Sequence, residues 1–114
     1  ISRGGALPAK IISYVLDAKC LMYGVSSYNG EKATGEMMIT QDINFDELPD
    51  NSRILVVDDK CDTGSTIDHI KGRIGDRFTY VRYATIFAEK RATKKVDHYG
   101  VVLPDHTWLD FPWE

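Results

Sequence analysis

Residues 54–66 read ILVVDDKCDTGST, and this stretch decides how the chain is built. Its first part, Ile54 to Val57, is unbroken and mostly β-branched, which suits a strand buried on both faces. The run ends on Asp58 and Asp59, two carboxylates that repel each other and that stability alone would not set side by side. Beyond Lys60 and Cys61 comes Asp62-Thr63-Gly64-Ser65-Thr66, and the spacing of Ile67, Ile70 and Ile74 predicts a helix over residues 65–74. Strand, turn and helix in that order put the turn beyond the carboxyl end of a strand, where open α/β sheets bind ligands. The turn offers successive backbone N–H groups and several hydroxyls at a helix N-terminus, a phosphate cradle by dipole and by donor count. Gly64 permits the positive φ that such a turn often needs. Asp58 and Asp59 are acceptors for hydroxyl groups, so a ligand with a phosphate at one end and a diol at the other fits the stretch. That ligand is a ribose phosphate. Each residue singly is as well explained as a helix cap or a solvated strand end; all of them together, after a buried strand, point to a site.

Working outward, helical and strand patterns alternate. Residues 7–16 carry apolar side chains at Ile11, Ile12, Val15 and Leu16, with Pro8 suited to a first helical turn. Residues 20–25 are an apolar run of strand length, 26–35 a polar loop with two glycines, and 36–40 a short returning strand. Residues 43–51 resemble a turn of helix closed by Pro49-Asp50, and residues 78–88 and 99–103 are strands. The alternation predicts an α/β fold with a mostly parallel central sheet flanked by helices. At 114 residues the chain is expected to be a single domain over residues 1–114, with a core but no room for a separate substrate domain.

Composition narrows the function. With 43% hydrophobic and 27% charged residues the chain is of ordinary globular type. No apolar run nears the roughly 20 residues of a membrane span, and a net charge of -3 argues against a nucleic-acid partner. Cys20 and Cys61 have neither a pairing pattern nor metal-ligand spacing and read as free thiols of a reducing compartment. A Walker loop and a Gly-x-Gly-x-x-Gly fingerprint are missing, and Lys60 breaks an EF-hand counted from Asp58. The chain opens on Ile1-Ser2-Arg3-Gly4-Gly5, without Met or signal peptide, a glycine turn that leads straight into a helix.

Residues 54–66 closely resemble the phosphoribosyl-pyrophosphate motif of the type I phosphoribosyltransferases: apolar strand, two acids, two residues, then Asp-Thr-Gly-x-Thr. Two further segments match in the expected order. Ser2 to Gly5 resembles the family's pyrophosphate loop, and residues 107–114, TWLDFPWE, resemble the C-terminal hood of the xanthine-guanine branch. The resemblance covers nearly the whole chain and implies the type I phosphoribosyltransferase fold with a small C-terminal hood. The family's segment before the pyrophosphate loop, which includes a core strand, has no counterpart, so a strand is expected to precede Ile1 in the complete protein.

The resemblance also implies a division of labour. Phosphoribosyl pyrophosphate would bind to Ser2, Arg3, Gly4, Asp58, Asp59, Asp62, Thr63, Gly64, Ser65 and Thr66. Its 5'-phosphate would rest on residues 62–66, its ribose hydroxyls would face Asp58 and Asp59, and its diphosphate would lie on the Ser2–Gly4 backbone. Asp58 and Asp59 would also be the metal residues, for a Mg²⁺ ion that bridges diphosphate and ribose. Asp62 would be the catalytic acid/base at the purine N7. Trp108 would stack on the purine and the Leu109 main chain would read its edge, while Ser27 and Tyr28 belong to a mobile loop over the site. The implied protein is a cytoplasmic homo-oligomer, dimer or tetramer, of purine salvage. It transfers phosphoribosyl to a 6-oxopurine, xanthine, guanine or hypoxanthine.

One position departs from the pattern. After Thr85-Ile86-Phe87-Ala88 the family places a lysine that donates to the purine 6-oxo group, and here Glu89 stands there, with Lys90 next. A carboxylate facing a carbonyl leaves two acceptors unpaired, so Lys90 is expected to bind the purine while Glu89 points to solvent or pairs with Arg91 or Lys94. Glu89 also keeps two alternatives open: a non-catalytic nucleotide-sensing module of the same fold, and a transferase for another base.

Overall fold

The computed structural model describes residues 1–27 and 37–114. Helix α1 (Ala6–Leu16) follows the first loop; Pro8 is buried in its first turn, and Asp17 closes it in the left-handed conformation at φ 50°. Its backbone N–H reaches the carbonyls of Ser13 and Tyr14, which satisfies acceptors that a helix end leaves open. The face of α1 that packs against the sheet carries Pro8 and Ser13, while Ile11, Val15 and Leu16 of the apolar pattern are exposed.

Strands β1 (Gly24–Ser27) and β2 (Met37–Gln41) form an antiparallel pair with Val25 opposite Ile39. The strand expected over residues 20–25 starts only at Gly24. The Tyr23 carbonyl accepts the Ser2 N–H at 2.8 Å, and Ser2 bridges Gly24 in parallel, so this backbone serves the first loop. Residues 43–51 hold a single 3-10 turn, Phe45–Glu47, with the Asn44 side chain accepting the Asp46 N–H at 3.1 Å.

The second sheet carries the site. Strand β3 (Arg53–Cys61), helix α2 (Ser65–Ile74), strand β4 (Tyr80–Glu89) and strand β5 (His98–Leu103) give a parallel sheet in the order β3-β4-β5. The α/β class with a parallel sheet is therefore as the sequence implied. Helix α2 spans the expected residues, with Ile67, Ile70 and Ile74 buried. Burial of β3 is less even than its apolar run suggests: Val56 and Val57 are buried, Leu55 is 38% exposed. The strand also runs further. Its ladder with β4 continues to Cys61 opposite Ala88, so Asp58 and Asp59 belong to the strand's last turn of pleat and do not follow it. The core is built on Tyr23, Phe45, Val56, Ile67, Ile70, Phe78 and Tyr83, with Ala88 and Ala92 closing it under the site. Among the described residues no helix is long and apolar enough to cross a membrane.

Candidate active site

The turn from β3 into α2 is shaped by its own side chains. Asp62 Oδ1 accepts the Thr63 N–H at 2.6 Å, and the Thr63 and Ser65 hydroxyls are 2.8 Å apart. Gly64 has φ +85°, and a Cβ there would lie 2.7 Å from Lys95 Cγ, so both conformation and space require glycine. Gly64 is itself the N-cap of α2 and brings no capping side chain. The Ser65 N–H leans on the Thr63 hydroxyl at 3.3 Å, and the next N–H groups of α2, of Thr66 and Ile67, with the dipole behind them, are placed for an anion.

Beside this turn lie the two acids of β3. Asp58 is buried and accepts the Asp59 N–H at 2.9 Å. Burial, then the neighbouring Asp59, pushes its carboxyl up to about 7. Thr85 is opposite Asp58 in the ladder, on the same face, and its hydroxyl is buried without a partner among the described residues. Such an atom is expected where a bound molecule completes a network. Asp59 accepts the Lys60 N–H at 2.6 Å and lies over the first loop. A Cβ on Gly4 would fall 1.7 Å from Asp59 Oδ2, and one on Gly5 would fall 2.6 Å from the Ile1 and Val57 carbonyls. Both glycines let the loop lie directly on the end of β3. The Ser2–Arg3 peptide within it is cis.

The C-terminal segment folds back over this end of the sheet. Phe111 packs against Phe87 and Trp113, at ring-centre distances of 5.8 and 4.9 Å. Trp113 Nε1 donates to the Gly4 carbonyl at 2.7 Å, which ties this segment to the first loop. Trp108 is the opposite case: it is 83% exposed, and its indole N–H is held by Asp110 Oδ1 at 2.9 Å.

These parts enclose one cleft of about 530 Å³. Arg3 of the first loop, Asp58, Asp59, Asp62 and Thr66 of the β3–α2 region, and Trp108 and Leu109 of the C-terminal segment all line it. Ser2 and Gly4 stand behind Arg3 in the same loop, and Thr63, Gly64 and Ser65 form the turn at its edge. Ser27 ends β1, and Tyr28 lies outside the described residues.

The surroundings of Glu89 bear out one branch of the sequence expectation, the pair with Arg91, and add a second cation. Far from solvent, Glu89 is 1% exposed. Its pairing with Arg91 is as expected, Nε to Oε2 at 2.8 Å, but its second cation is Lys60, at 2.9 Å from Oε1, and not Lys94. The His106 N–H adds a bond at 3.0 Å. Burial works against ionisation of Glu89, but Lys60, His106 and Arg91 outweigh it, and the carboxyl titrates at about 2, below its ordinary 4.5. Lys90 is exposed at the start of the 3-10 segment Lys90–Lys95, and the cleft wall carries Lys60 instead. Lys60 was legible in principle, since it follows Asp58 by two residues and so shares its face of the strand. Trp113 carried no such signal, because its partner is a loop carbonyl at the other end of the chain.

Among the described residues no group of three or more His, Cys, Asp or Glu side chains could hold a metal ion. Two adjacent carboxylates still suit a cation of the Mg²⁺ type, which takes hard oxygen ligands and commonly keeps only one or two from the protein, the rest from phosphates and water.

Comparison with known proteins gives a consistent result. The model of the phosphoribosyl transferase domain matches residues 1–114. The chain is 31% identical to a xanthine-guanine phosphoribosyltransferase of Idiomarina loihiensis, over all of this chain and 68% of that protein. It is 30% identical to a xanthine-guanine phosphoribosyltransferase of Cereibacter sphaeroides, over all of this chain and 66% of that protein. Thus it spans about two thirds of the length of these curated relatives. Among solved structures, a purine phosphoribosyltransferase from Pyrococcus horikoshii is similar with a TM-score of 0.81 and 28% identity, over 99% of this chain and 72% of that one.

Proposed function

Because the chain belongs to the phosphoribosyl transferase domain family, we propose that it is the substrate-binding and catalytic part of a purine phosphoribosyltransferase. It moves the phosphoribosyl group from phosphoribosyl pyrophosphate to a 6-oxopurine and releases a nucleoside 5'-monophosphate and diphosphate. The carrying observation is the composition of the cleft. The N-terminus of α2, two strand-end carboxylates and an exposed indole hydrogen-bonded to Asp110 open on one space of about 530 Å³.

In this reading the 5'-phosphate sits on the turn at residues 62–66, bound by the first N–H groups of α2 and by the Thr63, Ser65 and Thr66 hydroxyls. Asp58 and Asp59 hold the ribose hydroxyls and would be the residues that hold Mg²⁺. When bound, the ion neutralises charge on the diphosphate leaving group. Ser2, Arg3 and Gly4 hold the diphosphate, and Trp108 and Leu109 hold the base. The base nitrogen forms its bond to C1' as the bond from C1' to the diphosphate oxygen breaks, with the leaving oxygen keeping the electron pair. Asp62 serves as acid/base at the purine N7. Positioning and charge complementarity supply most of the rate. The C-terminal segment, tied to the loop by Trp113, keeps water from the reacting centre, where hydrolysis competes with transfer. The protein would act in the cytoplasm, in purine salvage and as a homo-oligomer.

Each purine is incubated separately with phosphoribosyl pyrophosphate and Mg²⁺, and nucleotide and diphosphate are measured. Guanine, xanthine or hypoxanthine should give its monophosphate. Adenine as the best substrate would mean a transferase for another base. Binding of nucleotide without turnover of any base would instead favour the sensing module.

A further inference from the structure

We infer that Lys60 of β3, anchored by the buried carboxylate of Glu89 on β4, is the cation that selects a carbonyl-bearing edge of the base. This inference rests on the transferase reading for the identity of the cleft, and it assigns specificity to a pair of residues rather than to Lys90.

The geometry is that of a held donor. Register pairs Lys60 with Phe87, so Lys60 and Glu89 lie on one face of neighbouring parallel strands, diagonally offset. The Lys60 side chain is 16% exposed, and Lys60 lines the cleft. An ammonium has three N–H donors. One goes to Glu89 and one to the Thr107 carbonyl. The third has no acceptor among the described hydrogen bonds of Lys60. Glu89 is placed differently: Lys60 binds one oxygen, Arg91 and the His106 N–H bind the other, and the residue is 1% exposed and is not part of the cleft lining. A carboxylate buried behind the lysine in this way is out of reach of an exocyclic amino group, and it keeps the lysine charged. The cleft therefore presents a donor held at the carbonyl of Thr107, the residue before Trp108, and in the inferred arrangement a ring laid on that indole meets a cation at its edge. A 6-oxopurine offers an acceptor there; a 6-aminopurine offers an N–H that the ammonium repels. Glu89 touches no ligand in this arrangement and is a positioning residue.

The test is equilibrium binding by calorimetry, with GMP and AMP as probes, on the wild type and on Lys60→Met, Glu89→Gln, the double variant and Lys90→Ala. Wild type should prefer GMP. Lys60→Met keeps the stem and loses the charge, and should weaken GMP by roughly tenfold or more, the factor that about 1.4 kcal/mol represents, with AMP little changed. Glu89→Gln should lower the GMP-to-AMP ratio by a smaller factor; a purely structural role would lower both affinities alike. The double variant removes both charges of the pair and guards against a simple failure to fold; it should fold and still lack the preference. An unchanged GMP-to-AMP ratio in Lys60→Met and in the double variant overturns the inference, as does loss of that ratio in Lys90→Ala alone. A wild type that binds neither nucleotide overturns it too. Wild type that binds GMP selectively but transfers no base leaves the inference standing and overturns only the transferase reading.

Discussion

Trp113 donates its indole N–H to the Gly4 carbonyl at 2.7 Å, joining the last residues of the chain to the loop that opens it. The ring is also packed on Phe111, so the indole is fixed by contact on one side and by a hydrogen bond on the other. Trp113→Phe keeps the ring packing and drops the donor. It is expected to lower stability by about 1 kcal/mol, read from urea unfolding. Affinity for phosphoribosyl pyrophosphate should fall as well, because the Gly4 backbone loses its restraint.

Two glycines are predicted to be irreplaceable for different reasons. At Gly64 the backbone is left-handed, and valine resists that region. At Gly4 the space is taken by the Asp59 carboxylate, so Gly4→Ala must displace the acid itself. In wild type, phosphoribosyl pyrophosphate with Mg²⁺ at 100 times its dissociation constant should stabilise the fold by about 2.7 kcal/mol. Thermal shift assays should show most of this gain lost in Gly64→Val and in Gly4→Ala, and part of it in Thr63→Ala. An equal shift in wild type and Gly64→Val would count against the phosphate cradle.

Trp108 contributes little to the fold, because 83% of it is exposed. Trp108→Ala should leave the melting temperature within about a degree or two, since exposed substitutions usually change stability by under ~0.5 kcal/mol. KM for the base should rise roughly tenfold, as stacking of a base on an aromatic ring is worth about 1–3 kcal/mol. The affinity for phosphoribosyl pyrophosphate should not move. A parallel loss of both would place Trp108 in the scaffold.

Acid stability should report on Glu89. Its carboxyl titrates at about 2 in the folded protein and near its ordinary 4.5 when unfolded. Between those values the unfolded chain binds the extra proton, so stability is fully present above about pH 4.5 and is lost as pH falls toward 2. Urea midpoints measured from pH 5 down to 2 should decline, and Glu89→Gln should flatten that decline while starting from a lower stability at neutral pH.

How much of this could be read from residues alone depended on how local the cause was. The helix over residues 65–74 was legible to the residue, because its isoleucine spacing and the glycine before it act within the segment. The end of β3 was not, since Asp58, Asp59 and Lys60 carry no strand signal and are held extended by a ladder to β4. Residues 20–23 look like a strand by composition, yet the strand starts only at Gly24 and the Tyr23 carbonyl is taken by the Ser2 N–H. The same limit governs the site. The turn at residues 62–66, the paired acids and Trp108 sit within short motifs. By contrast, the burial of Glu89 depends on a cation from another strand, which no spacing along one strand reveals.

The Lys60–Glu89 pair also constrains how such a protein can change. Glu89→Lys alone would bring a second ammonium beside Lys60, with Arg91 close by, in a place with almost no solvent. Replacing Lys60 alone strips the buried carboxylate of one of its two cations, and breaking a buried pair from one side is the costly way to remove it, at about 3–5 kcal/mol. The two positions are thus coupled: under the role inferred for Lys60, a lysine on β4 and a lysine on β3 are alternative solutions separated by an unstable halfway sequence. Grafting one residue at a time between this chain and a relative with the other arrangement should fail, where exchanging both at once should succeed.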